Sequence, residues 1–137
     1  MNPIIRNVLA VIAGIVIGSV VNMFLVNLNG SVMPLPEGAD ISTMEKLKES
    51  IKFFEPKHYL FPFLGHAIGT LVGAFLAAKI AGTYKPRMAM IIGIFFLAGG
   101  IANIFMLGGP LWFNAADIIL AYLPMAWLGA KFAGVYS

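Results

Sequence analysis

The segment Met88–Leu107 reads MAMIIGIFFLAGGIANIFML, twenty residues in which Asn103 is the only polar side chain. An α-helix rises ~1.5 Å per residue, so a run of ~20 such residues covers the ~30 Å hydrocarbon core of a bilayer. Three further windows share this character. Val8–Val26 has only Ser19 and Asn22 as polar residues, and Tyr59–Ala78 has only His66, Thr70 and its terminal tyrosine. Leu111–Ala130 has Asn114, Asp117 and Tyr122. The whole chain of 137 residues is 60% hydrophobic and 11% charged, with a mean hydropathy of +0.90. A soluble domain of this length has too little interior to hide so much apolar surface.

The expected architecture is an all-α integral membrane protein, a single domain over residues 1–137. Its spans are placed at about residues 4–28, 59–82, 87–107 and 111–132, with an outer loop over 29–58. The first apolar run is too long for a signal peptide, and Ser19–Val32 offers no small-x-small cleavage pattern, so this span is expected to remain. With no cysteine in the chain, disulfides and thiolate metal sites are excluded.

Charge sets the expected orientation. Arg6, Lys79, Lys85, Arg87 and Lys131 lie at one set of helix ends, whereas the first loop balances four lysines with five acids. The positive-inside rule then puts both termini and the second loop in the cytoplasm of a bacterial inner membrane. The net charge of +3 is a topology signal. No basic run is long enough to track a phosphate backbone, so no nucleic-acid partner is expected.

The chain also repeats itself. AFLAAKIAG (Ala74–Gly82) and AWLGAKFAG (Ala126–Gly134) agree at six of nine positions, and GSVVNMFL (Gly18–Leu25) matches GGIANIFM (Gly99–Met106) at three of eight. The expectation is two parallel helical-hairpin repeats separated by the inserted loop. Small residues recur at i,i+4 spacing: Gly14 and Gly18 in span one, and Gly65, Gly69 and Gly73 in span two. Such stripes let helix backbones approach closely in lipid, where apolar burial supplies no drive.

Within the loop, STMEKLKESIKFF carries a capping-box pattern at Ser42 and Glu45, and Met44, Leu47, Ile51 and Phe54 share one face of a short amphipathic helix. That face reads either as a lid resting on the bundle or as a docking surface for a partner.

Asn22, His66, Asn103 and Asp117 contribute one polar residue per span. All four are expected ~6–10 Å below the outer boundary, from their distance to the helix ends. Asp117 at such a depth must be protonated, paired or wet, and His66 is the natural partner. Pro124 frees the carbonyl of Leu120 near the same level. Together these residues outline a small polar pocket open to the outside, or a set of interhelical hydrogen bonds. One histidine and one aspartate are too few for zinc, and no nucleophile–base set is present. No cofactor and no enzymatic activity are therefore expected.

The Gly-rich first span, the loop with Pro34, Pro36 and Gly38, the GGPLWF turn (Gly108–Phe113) and the AWLGAKFAG finish resemble a loose class of short bacterial four-helix inner-membrane proteins. That class carries no assigned activity to transfer. Small multidrug exporters need a central glutamate in the first span, which is absent here. The GTL at Gly69–Leu71 is shared with fluoride channels, whose phenylalanine-bearing third-span motif is not found. The sequence therefore leaves two functions open. One is a non-catalytic homo-oligomer or small subunit of a membrane complex, surrounded by lipid. The other is a small permease or channel for an ion, proton or small solute.

Overall fold

A computed structural model describes residues 1–136. The described residues are helical, with one isolated bridge between Asn29 and Met33. The α-helices are α1 (Pro3–Val26), α2 (Met44–Ser50), α3 (Leu60–Ile80), α4 (Lys85–Leu107), α5 (Leu111–Leu120) and α6 (Leu123–Phe132). Short 3-10 turns at Ile51–Phe53 and Pro56–Tyr59 lead from α2 into α3. Four segments are long and apolar enough to cross a membrane: α1, Pro56–Ile80, α4, and α5 with α6 taken together.

Local chemistry explains the boundaries. Asn2 caps α1 by accepting from the Ile4 amide at 2.8 Å, and Pro3 opens the first turn, where its missing N–H costs nothing. Between α3 and α4, Asn7 of α1 clamps the turn. Its Oδ1 accepts from the amides of Gly82 and Thr83 at 2.9 and 3.1 Å, and its Nδ2 donates to the Thr83 hydroxyl at 2.9 Å. Arg6 Nε donates to the Ile80 carbonyl at 2.6 Å, satisfying one of the free acceptors at the end of α3. Gly108 and Gly109, at φ of 75° and 92°, make the reversal into α5.

The fourth segment departs from the expected single helix over 111–132. It breaks at Ala121–Tyr122, between α5 and α6. Pro124 is the cause: it cannot donate to the Leu120 carbonyl, and its ring crowds that group. The amphipathic loop helix forms, but its cap is Thr43 rather than Ser42. Thr43 Oγ1 accepts from the Lys46 amide at 3.1 Å. Ser42 instead closes a turn on Asp40, whose carboxyl is held down to about 2 by the Ser42 hydrogen bonds and then by Lys46 at 3.3 Å.

Helix α3 is central, packed on α1, α4 and α6. Its glycines meet those of α1 in antiparallel register: Gly73 opposite Gly14, Gly69 opposite Gly18, and Gly65 opposite Asn22. A Cβ on Gly14 or Gly18 would stand 2.6 or 2.7 Å from the facing carbonyl oxygen. The backbones touch, in the geometry that Cα–H···O contacts favour. Gly129 brings α6 equally close to the Leu71 carbonyl of α3. At the end bearing Lys79, Lys85 and Arg87, the core is a close-packed set of alanines with Ile92 (Ala74, Ala77, Ala78, Ala89, Ala126, Ala130). The sequence match of Gly18 with Gly99 is not mirrored in this packing: Gly18 is buried against α3, while Gly99 is exposed with nothing within 4 Å of its Cβ position.

The register makes a direct prediction. Gly18→Ala or Gly73→Ala should destabilise the fold by about 1–3 kcal/mol through overpacking, whereas Gly99→Ala should leave stability unchanged. Thermal unfolding in detergent measures both.

Candidate functional site

The opposite end of the bundle is hollow. Asn22 of α1, His66 of α3, Asn103 of α4 and Asp117 of α5 all line one cavity of about 410 Å³. A smaller cavity of about 170 Å³ adjoins it and shares Asn22, His66, Gly100 and Asn103. The four residues singled out by one-per-helix spacing are thus brought together.

Asp117 is the anchor. Its side chain is 6% exposed, and a carboxylate in such a position is costly unless hydrogen-bonded. Both oxygens are occupied: His66 Nδ1 lies 2.8 Å from Oδ1, and the Tyr122 hydroxyl donates to Oδ2 at 2.9 Å. The His66 and Tyr122 rings stack at 5.9 Å, and Gly100 of α4 gives room for the Tyr122 ring. Thr70, one turn along α3, donates to the His66 carbonyl at 2.7 Å and stays within its own helix. With Nδ1 committed to Asp117, the free ring nitrogen of His66 is Nε2, which makes no hydrogen bond to a described residue.

Two amides, Asn22 and Asn103, line both cavities, while Asn27, Asn29, Asn114, Ser42 and Thr43 line the larger one alone. Asn22 Oδ1 is buried without a hydrogen-bond partner, pressed against Gly65, where a Cβ would come within 2.7 Å. The glycine Cα–H is a weak donor that this oxygen can use, which leaves the amide NH₂ group for the cavity. Asn103, half-buried, has no hydrogen-bond partner among the described residues. Asn22, Asn103 and His66 Nε2 therefore present polar groups that the protein leaves unused.

The loop covers this chamber. Leu47, Ile51 and Phe54 are half-buried and line it, with Met44 at the exposed rim. Of the face read either as a lid or as a docking surface, Leu47, Ile51 and Phe54 turn toward the chamber, whose apolar walls offer them burial. His58 pins the loop. It is 3% exposed, accepts from the Glu55 amide through Nδ1 at 2.8 Å, and meets the Pro34 carbonyl through Nε2 at 3.1 Å. Asn29 Nδ2 donates to the His58 carbonyl at 2.9 Å, and Ser50 is hydrogen-bonded to the backbone of Asp40. Below the loop, Tyr59 packs against Phe113 with its ring tilted by 35° at 4.6 Å and meets Trp112 edge-on at 5.6 Å.

Tyr122 is the site residue that sequence spacing hides. Five residues after Asp117, it would stand about 140° around a regular helix; the break at Ala121–Tyr122 turns it back. The only available signal was Pro124 placed just after it.

Comparison with family models, with curated proteins and with solved structures found no match for this chain.

The network should be cooperative. Tyr122→Phe removes one hydrogen bond and should cost about 1 kcal/mol. Asp117→Leu leaves both the imidazole and the phenol without an acceptor and should cost more. In a double-mutant cycle by detergent unfolding, the effects of altering His66 and Asp117 should be clearly non-additive.

Proposed function

We propose that the chain is an integral membrane protein with four spans that acts as a small permease, binding its solute in a chamber open to the outer side. Placement in a bilayer is supported by the four apolar segments and by large side chains left outward-facing, such as Phe105 at 86% and Leu111 at 83% exposure. The cluster of Arg6, Lys79, Lys85, Arg87 and Lys131 at the close-packed end supports a reading in which that end and both termini face the cytoplasm of a bacterial inner membrane. The two-hairpin repeat belongs to the same reading and is supported by the sequence matches.

One observation carries the functional reading: polar groups from four separate helices converge on one cavity, and three of the residues keep groups that no other described residue uses. Polar residues that only tie helices together would be used up in that task. The broken fourth segment at the same level adds to this, since discontinuous helices frame the binding sites of many carriers. The alternative, a non-catalytic homo-oligomer or subunit of a complex, draws less support, because Leu47, Ile51 and Phe54 of the loop face line the chamber and the glycines of α1 and α3 face one another within the chain.

In sealed proteoliposomes, permeability to a panel of small uncharged solutes (glycerol, urea, butane-1,4-diol) is measured by stopped-flow light scattering. At least one solute should cross about tenfold faster than through protein-free vesicles, and His66→Ala and Asp117→Asn should return it to background. Folded wild-type protein that raises permeability to none of them would contradict the reading.

A further inference from the structure

The linings of the two cavities restrict the chemistry of the occupant. No lysine, arginine or glutamate lines either of them. The one carboxylate present, Asp117, already accepts from His66 and Tyr122 through both oxygens. An anionic group would meet Asp117 with no cation to balance it, and a cationic group would find both carboxylate oxygens already taken by His66 and Tyr122. What the chamber offers is a donor and an acceptor in one lining: the Asn22 NH₂ group and His66 Nε2, with the amide of Asn103 on the same two cavities. A hydroxyl satisfies both at once, accepting from the amide and donating to the ring nitrogen.

Around these polar groups the walls are apolar. Met23 of α1, Ile104 of α4 and the loop residues Leu47, Ile51 and Phe54 line the larger cavity. At the level of the smaller cavity, Gly99 of α4 has no neighbour within 4 Å of its Cβ position and is exposed on the side of the bundle. Toward the close-packed end, α1 and α4 meet through Gly14 against Ile92 and Gly18 against Phe96; beyond Phe96, Asn22 and Asn103 face the cavities. Gly99 thus lies where the smaller cavity comes to the side of the bundle, with open space at its Cβ position.

We propose that the ligand of this chamber is an uncharged amphiphile with a hydroxyl head, held by Asn22, His66 and Asn103, its apolar body lying against the loop face and reaching the α1–α4 seam at Gly99. The assignment rests on the chamber being the binding site. The class covers alcohols with an aliphatic or ring body that fill a cavity of about 410 Å³, and it excludes phospholipid headgroups and organic cations.

The absence of cysteine makes the test clean. Ile104→Cys, which lines the larger cavity, is labelled in intact cells with a membrane-impermeant thiol reagent. Decanol, decyl phosphate and decyltrimethylammonium, which share one alkyl chain, compete for the site. Decanol should slow labelling at concentrations about tenfold lower than either charged probe, and adding Asn22→Leu with Asn103→Leu should abolish that protection. Equal protection by a charged probe, no protection by decanol, or decanol protection that survives both leucine substitutions would overturn the ligand class. Failure of Ile104→Cys to label from outside, while it labels after permeabilisation, would instead overturn the outward-facing chamber itself.

Discussion

A carboxylate set among apolar helices has to be satisfied, and the loop-bearing half of this protein is arranged around that requirement at Asp117. His66 reaches it from α3 and Tyr122 from the joint between α5 and α6, so one side chain ties the central helix to both halves of the broken segment. Tyr122 can turn inward because Pro124 interrupts the helix, and it fits because Gly100 has no side chain. Removing the carboxylate would strand two polar groups, which is why the network holds as a unit. It also fixes the imidazole, committing Nδ1 and leaving Nε2 as the chemically available edge.

The two ends of the bundle divide the work. At the basic end, alanines and glycines let α1, α3, α4 and α6 close on one another, and Asn7 and Arg6 lock the turn after α3. At the other end the glycine register of α1 and α3 runs out at Asn22 and Gly65, where a polar side chain takes the place of a glycine. Space opens there, and the loop of residues 29–58 closes over it, held by His58 and Ser50. A chamber closed below and covered above by a separate loop suits a site approached from one side.

Much of this was legible in the sequence, for reasons that are physical. Four apolar windows of bilayer length can only be helices that satisfy their own backbone, and four isolated polar residues at one level declare themselves by their cost in lipid. The i,i+4 glycines marked where backbones can approach closely, and the structure then sets those of α1 against those of α3. Tertiary geometry set the rest. The fourth window reads as continuous because hydropathy does not register a backbone break, so Tyr122 fell on the wrong face. An amphipathic loop helix has the same pattern whether its apolar side meets a partner or its own bundle. Thr43 and Ser42 are both good caps, and only the competing turn at Asp40 selects between them. Asn7 and His58 act through single long-range hydrogen bonds, which leave no periodic trace.

The central claim is that Asn103 faces a water-accessible chamber and not lipid or a dry helix contact. Spin labels on Asn103→Cys and, for comparison, on lipid-facing Phe105→Cys in a reconstituted bilayer report this through their collision rates with a polar nickel complex and with oxygen. The account predicts that the label at residue 103 is relaxed mainly by the nickel complex and the label at 105 mainly by oxygen. Relaxation of both labels by oxygen alone would contradict it.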